Sequence, residues 1–190
     1  LAAFGAGSMT AAAVLPRLLH RLTDRTAMVG GAVLLTLGLA IGPWLATTYP
    51  ALLALWIVMG FGYSLTLTPV GRALRRSSTP EDRPALFAAQ FALSHACWLV
   101  AYPVAGLVSA RLDPSAAFLV LAALSTVGVA AALLAWPRHD PLNLPHTHPD
   151  LPPDHPHLAG ADPEGSHSHP VVIDAEHHRW PDRTEEKPPA

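Results

Sequence analysis

A single cysteine, Cys97, in 190 residues excludes a disulfide framework and a thiolate zinc site. Lysine is almost missing too: Lys187 stands alone against 11 arginines. With abundant Ala, Leu and Pro, that bias reads as a GC-rich bacterial source. Charge of either sign is absent over long stretches, with none between Arg25 and Arg72 and none between Arg83 and Arg111. A soluble helix of such length would carry charges on one face at a period near 3.6. These runs do not, and they supply the ~20 apolar residues that cross a hydrocarbon core about 30 Å thick. No basic stripe marks a nucleic-acid partner. No nucleophile–base arrangement and no glycine-rich phosphate loop is present, so an enzyme is not expected.

What is present divides sharply at Trp136-Pro137. The last 54 residues hold 9 of the 11 histidines and 12 of the 20 prolines. Residues 1–136 carry 8 Arg against 4 acidic residues, whereas residues 137–190 carry 4 basic and 10 acidic ones. The first part reads as membrane-embedded, and the second as too proline-rich and too poor in apolar residues to build a core.

Five spans are expected: Leu1–Leu19, Ala27–Ala46, Ala51–Val70, Ala85–Ala110 and Ala116–Trp136. Leu1 already lies inside an apolar run with no signal-peptide pattern, so the chain reads as cut from something longer. The link His20–Thr26 holds Arg21, Asp24 and Arg25, and the link Gly71–Pro84 holds Arg72, Arg75, Arg76 and Arg83. The tail opens with Arg138. Arginine thus alternates sides, and the positive-inside rule puts both links and the tail in the cytoplasm. Thr79-Pro80-Glu81-Asp82 is a helix-start signal, with Thr79 as N-cap. Gly42-Pro43 and Tyr102-Pro103 predict kinks within spans. Gly30, Gly31, Gly38, Gly60 and Gly62 suit close helix contacts.

The fourth span is the most polar. Gln90, Ser94 and Cys97 follow an i, i+4, i+7 spacing and share one face. His95 and Tyr102 lie about a quarter-turn away, stacked on each other at i, i+7. His95 can bind a cation or carry a proton, since imidazole titrates near neutrality and ligates transition metals. The plainer reading is that it bonds to a neighbouring helix. Cys97 reads as a small buried residue before it reads as a ligand. Gln90 and Ser94 suit either a cavity wall or interhelical hydrogen bonds.

The tail from Pro137 has no periodicity and is expected to be disordered with polyproline II character. Its histidines are patterned: His146-x-His148, His155-x-His157 and His167-x-His169, then the pair His177-His178. In an extended chain i and i+2 side chains project to one side, so each unit can chelate an ion. Asp150, Asp154 and Asp174 offer carboxylates nearby. With no thiols, borderline divalent ions are favoured over Cu(I). A solvated tail with incidental histidines is the alternative.

Leu18-Leu19-His20-Arg21-Leu22-Thr23-Asp24-Arg25 resembles the cytoplasmic loop motif of major facilitator superfamily transporters, Gly-x-x-x-Asp-Arg-x-Gly-Arg. Asp24 and Arg25 match the pattern, while His20, Ala27 and Met28 stand where it has Gly, Gly and Arg. The segments Thr68-Pro69-Val70-Gly71-Arg72, Gln90-Phe91-Ala92-Leu93-Ser94-His95-Ala96-Cys97-Trp98 and Tyr102-Pro103 are similar to bacterial nickel and divalent-metal resistance exporters, some with histidine-rich tails. The resemblance implies an all-α membrane protein: five transmembrane helices of an incomplete major facilitator bundle, followed by a disordered cytoplasmic tail. It implies the bacterial plasma membrane, with the lipid bilayer and the missing N-terminal half as partners. The expected activity is proton-coupled efflux of divalent transition-metal ions, which act as ligand or cargo, with no resident cofactor. An exporter of organic cations with an incidental tail, and a metal-binding membrane protein that moves nothing, are the alternatives.

Overall fold

The computed structural model describes residues 1–18, 22–137, 143–149, 151–152, 154–162 and 165–177. The helices are α1 (Ala2–Leu18), α2 (Asp24–Leu45), α3 (Tyr49–Leu67), α4 (Val70–Arg76), α5 (Arg83–Arg111) and α6 (Pro114–Ala135). Strands β1 (Asn143–Thr147) and β2 (Ser166–Pro170) follow, with a 3-10 turn at Pro156–Leu158 between them. Among the described residues four stretches are long and apolar enough to cross a membrane: α2, residues Tyr49–Arg76 taken as one, α5 and α6. With 17 residues, α1 sits at the short limit of spanning helices. The chain is an all-α membrane bundle, as its apolar runs imply.

Caps fix the helix starts two or three residues ahead of the apolar runs. Thr23 Oγ1 accepts from the Thr26 amide at 3.1 Å and opens α2. Thr48 does the same for α3 through Ala51 (3.4 Å), and Asp113 for α6 through Ala116 (3.0 Å). Apolarity marks what lies in lipid, whereas a cap satisfies the first free amides of the helix. Thr79 Oγ1 accepts from the Asp82 amide (3.2 Å), closing a turn that leads into α5. The regular helix begins only at Arg83, four residues after the expected cap. The Gly71–Pro84 link is less open than expected, because α4 occupies its first half. Pro69, lacking an amide hydrogen, separates α3 from α4. Both α2 and α5 run on through Pro43 and Pro103.

The packing order is α1 on α3, α3 on α2, α2 on α6 and α6 on α5. Glycine permits the tightest contact. A Cβ at Gly7 would collide with the Ile57 carbonyl, and one at Gly60 with the Phe4 carbonyl. Gly31, Gly38 and Gly62 likewise face α3 or α2 closely, but Gly30 meets open space. One residue on a helix turns the side chain about 100°, so Gly30 and Gly31 cannot both face α3. The Thr36 and Ser125 hydroxyls bond at 2.6 Å and tie α2 to α6. Such bonds contribute about 0.6 kcal/mol each in lipid.

The arginine-rich end of the bundle is closed by charge. Asp24, only 2% exposed, accepts from Arg72 Nε at 2.9 and 3.1 Å, joined by a further close contact from the Arg72 Nη2. Arg76 Nη1 stands 3.9 Å away. Arg25 Nε donates to the Trp136 carbonyl at 3.2 Å, at the point where the tail leaves α6.

Within the tail the structure differs from the expectation of irregular chain. β1 and β2 form an antiparallel pair with Asn143 opposite Pro170 and His146 opposite His167. Pro145 and Pro170 fit because both strands are edges. Proline excludes a helix here and the scarcity of apolar side chains excludes a core, yet neither prevents strand pairing. A lone hairpin is marginal in water. Here Val171 and Ile173, directly after β2, are buried, as are His146 and His177.

Candidate metal centre

Strand register gathers the tail histidines. Opposed residues of an antiparallel pair share a face, as do residues two apart. His146 and His167 are opposed, His169 lies on the same face of β2, and His148 follows one residue after β1. His157 comes in from the 3-10 turn and His177 from a turn that Asp174 caps. The His146 ring lies 4.5–4.9 Å from those of His148, His167, His169 and His177. The His-x-His units therefore build one shared cluster rather than separate chelates.

Two overlapping sets of four bring their ligand atoms within 4.8 Å of one another: His146, His157, His169 and His177, and His146, His148, His157 and His167. Hydrogen bonding orients the first set. His146 Nδ1 donates to the Leu144 carbonyl (2.8 Å), His169 Nδ1 to the Pro170 carbonyl (3.0 Å) and His177 Nδ1 to Asp174 (2.8 Å). Carbonyls and carboxylates only accept, so each Nδ1 carries the hydrogen, and a ring in that neutral tautomer presents its lone pair at Nε2. His146 Nε2 and His177 Nε2 lie 3.0 Å apart, and His169 Nε2 and His157 Nε2 3.2 Å apart. Two lone pairs at 3.0 Å repel unless a cation lies between them. Zinc–nitrogen bonds of 2.0–2.1 Å place tetrahedral ligands about 3.3–3.4 Å apart, close to the observed spacing. Holding the outer nitrogen of each imidazole is the usual support for a metal ligand.

The second set shares His146 and His157 with the first and adds His148 and His167. His148 Nε2 lies 3.0 Å from His157 Nε2. Among the described residues, neither ring nitrogen of His167 has a hydrogen-bond partner, although both are shielded from solvent. An imidazole so placed is costly unless something ligates it.

The electrostatics favour neutral rings. Burial, and then the neighbouring imidazoles, pushes His148 down to about 4. Burial likewise lowers His146 despite its bond to Leu144, and lowers His157 along with the nearby His169 and His177. Burial alone would raise Asp174, but hydrogen bonds from the His177 side chain and backbone outweigh it and hold the carboxyl below its usual range. Neutral imidazole is the form that ligates.

The remaining candidates fall elsewhere. His155 caps the 3-10 turn, accepting from the His157 amide at 3.3 Å, so its unit contributes one ligand rather than two. Asp174 accepts from the His177 ring outside both sets of four, and Asp154 is exposed. His178, Asp150 and His20 lie outside the described residues. On α5, Gln90 and Ser94 are half-buried, whereas His95, Cys97 and Tyr102 are exposed. Cys97 is thus not the buried filler its apolar run suggested, because α5 has no buried residue. His95 Nδ1 bonds the Phe91 carbonyl of its own helix (2.8 Å), not a neighbouring one. Trp98 stands between His95 and Tyr102, at ring distances of 4.6 and 6.2 Å, in place of the direct stack expected.

The supporting carbonyls of Leu144 and Pro170 carry no sequence signal. Arg72 and Arg76 were legible only as positive charge, not as partners of Asp24.

A family model described as Major Facilitator Superfamily matches residues 1–172, extending past α6 into β2 and Val171. No curated protein and no solved structure matches the chain.

Proposed function

This chain belongs to the Major Facilitator Superfamily, and from that premise we propose that it forms part of a proton-coupled exporter of divalent transition-metal ions. The superfamily is one of membrane transporters, and its halves rock about a site near the membrane midplane. In this reading α1, α2, α3 with α4, α5 and α6 supply most of the second half, and a preceding half completes the pathway. The tail lies on the arginine-rich side, which the positive-inside rule assigns to the cytoplasm of a bacterial cell. There the histidine cluster captures the ion and raises its concentration at the mouth of the pathway.

The observation that carries the metal reading is the convergence of ring nitrogens from His146, His157, His169 and His177, three of which turn Nε2 inward because Nδ1 is hydrogen-bonded. A protein with no use for cations would gain nothing from facing such nitrogens together. A second reading draws on α5. Phe91, His95, Trp98 and Tyr102 form a ladder of rings 3.8–6.2 Å apart, a surface that attracts organic cations.

The test challenges cells expressing the full-length transporter with Ni, Co, Zn or Cd, and separately with quaternary ammonium compounds. Metal efflux is expected. Changing the eight histidines at 146, 148, 155, 157, 167, 169, 177 and 178 to Ala should weaken resistance mainly at low metal concentration. Ammonium resistance alone, unaffected by deleting residues 137–190, would make the chain an organic-cation exporter. Metal binding without efflux would make it a non-transporting metal-binding membrane protein.

A further inference from the structure

The tail touches the helical bundle at a defined point. Directly after β2, Val171 is fully shielded and Ile173 is 6% exposed. The Ile173 amide donates to the Arg76 carbonyl at the end of α4 (3.0 Å). Arg76 is buried, and its guanidinium faces Asp24. The start of the tail is held at the same end of the bundle, through Arg25 and the Trp136 carbonyl. His169 stands two residues before Val171, and His177 four residues after Ile173.

We propose that one divalent ion, bound by Nε2 of His146, His157, His169 and His177, clasps the tail onto the bundle by fixing the loop that carries buried Val171 and holds the Ile173 amide on the Arg76 carbonyl. This rests on reading the cluster as a metal site. The stoichiometry follows from the overlap of the two sets of four. Both need His146, whose Nδ1 is committed to Leu144, leaving one lone pair. Filling one set therefore excludes the other, and the described histidines take one ion rather than one per His-x-His unit.

The coupling follows from chain connectivity. An ion joining His169 to His177 closes a short loop around residues 171–173. With Ile173 already bonded to Arg76, the two imidazoles are held near their binding positions and less freedom is lost on ligation. Binding and docking therefore favour each other, and by linkage the factor is the same in both directions. The ion is thereby tied to the Asp24–Arg72–Arg76 junction where α2 meets α4, so metal occupancy acts on the helical bundle itself.

The experiment uses the whole chain in lipid nanodiscs, titrated with Zn2+ by calorimetry, with hydrogen exchange followed over residues 171–177. One Zn2+ per chain is expected, with slower exchange at Ile173 when it binds. Val171→Ala/Ile173→Ala touches no ligand, yet should loosen Zn2+ about tenfold at unchanged stoichiometry. His169→Asn should abolish the Zn2+-dependent protection while the helix content by circular dichroism stays constant. Binding of one Zn2+ with no added protection, and with full affinity in the double variant, would overturn the clasp and leave the metal site standing. Three ions per chain would also overturn it. No Zn2+ binding at all would remove the metal reading and the clasp together.

Discussion

Two polar clusters sit near one another at the arginine-rich end of this protein, and they are closed in opposite ways. Around Asp24 the charges answer each other, with a buried carboxylate meeting Arg72 through paired hydrogen bonds and Arg76 just beyond. Around His146 six imidazoles face one another, and three of them, His146, His169 and His177, bond outward through Nδ1 to Leu144, Pro170 and Asp174. The first arrangement is complete as it stands and joins α2 to α4. In the second, ring nitrogens of several histidines are gathered where they could hold a cation. A cluster whose members satisfy one another suits the fold, and one whose ring nitrogens converge is the arrangement behind the proposed metal site.

The largest effect expected from breaking this contrast is at Asp24. Asp24→Ala removes the carboxylate and leaves two guanidiniums facing each other at the junction of α2 and α4. Removing one partner of a buried pair costs about 3–5 kcal/mol. The lower end applies here because the Arg72 side chain is 34% exposed. A melt in detergent should fall by several degrees, and the metal site should lose affinity only through its weakened anchor. If Asp24→Ala melts like wild type, the charge cluster is not what joins α2 to α4.

The same operation on the histidine cluster should read out in binding rather than folding. His146→Ala removes a ligand common to both sets of four, and Zn2+ affinity should drop at least ~100-fold while the melt of the metal-free chain changes little. Asp174→Asn leaves all ligands in place but weakens the orientation of His177. Loss of an outer hydrogen-bond partner of this kind costs about 10–100-fold in metal affinity. Calorimetry on the two variants checks both the magnitude and the order. Equal losses would mean that Asp174 is itself a ligand.

The sequence made the bundle legible because lipid imposes a coarse rule that any apolar run of sufficient length obeys. It made the end of α4 illegible because Val70–Arg76 is too short and too basic to announce itself, and its partner Asp24 lies 48 residues from Arg72. The i, i+2 histidine spacing was readable as chelation, and strand pairing does present residues two apart on one face. Which units cooperate depends on register, and no residue encodes the pairing of His146 with His167 by itself. On α5 the spacing of Gln90, Ser94 and Cys97 was right as geometry, but exposure depends on which helices surround it, and α5 packs chiefly on α6.

Acidification separates the two clusters without mutation. In the unfolded tail His146, His148 and His157 titrate near 6.5. In the folded hairpin burial lowers all three, His148 to about 4. As pH falls, the unfolded tail takes up protons first, so the stability of the metal-free hairpin is full above pH 6.5 and declines from there to about pH 4. Exchange protection over residues 143–147 and 166–170 should fade across that window while the helices stay folded. Protection that persists unchanged to pH 4 would mean that the rings do not hold the hairpin.

The smallest effect tests the comparison inside a single repeat. His155 and His157 share one His-x-His unit, yet only His157 faces the cluster. His155 accepts a long 3.3 Å bond from the His157 amide, a capping role that Asn fills well. His155→Asn should therefore leave Zn2+ affinity within about twofold, and His155→Ala should cost only a few-fold through a looser turn, in keeping with the ~1 kcal/mol of a lost cap. His157→Asn removes a ligand common to both sets and should cost as much as His146→Ala. Equal losses at 155 and 157 would restore the picture of separate chelates, one per unit, and take the shared centre away. The difference between these neighbours isolates what the fold adds to the repeat: the sequence offers both imidazoles, and the 3-10 turn sends only one of them inward.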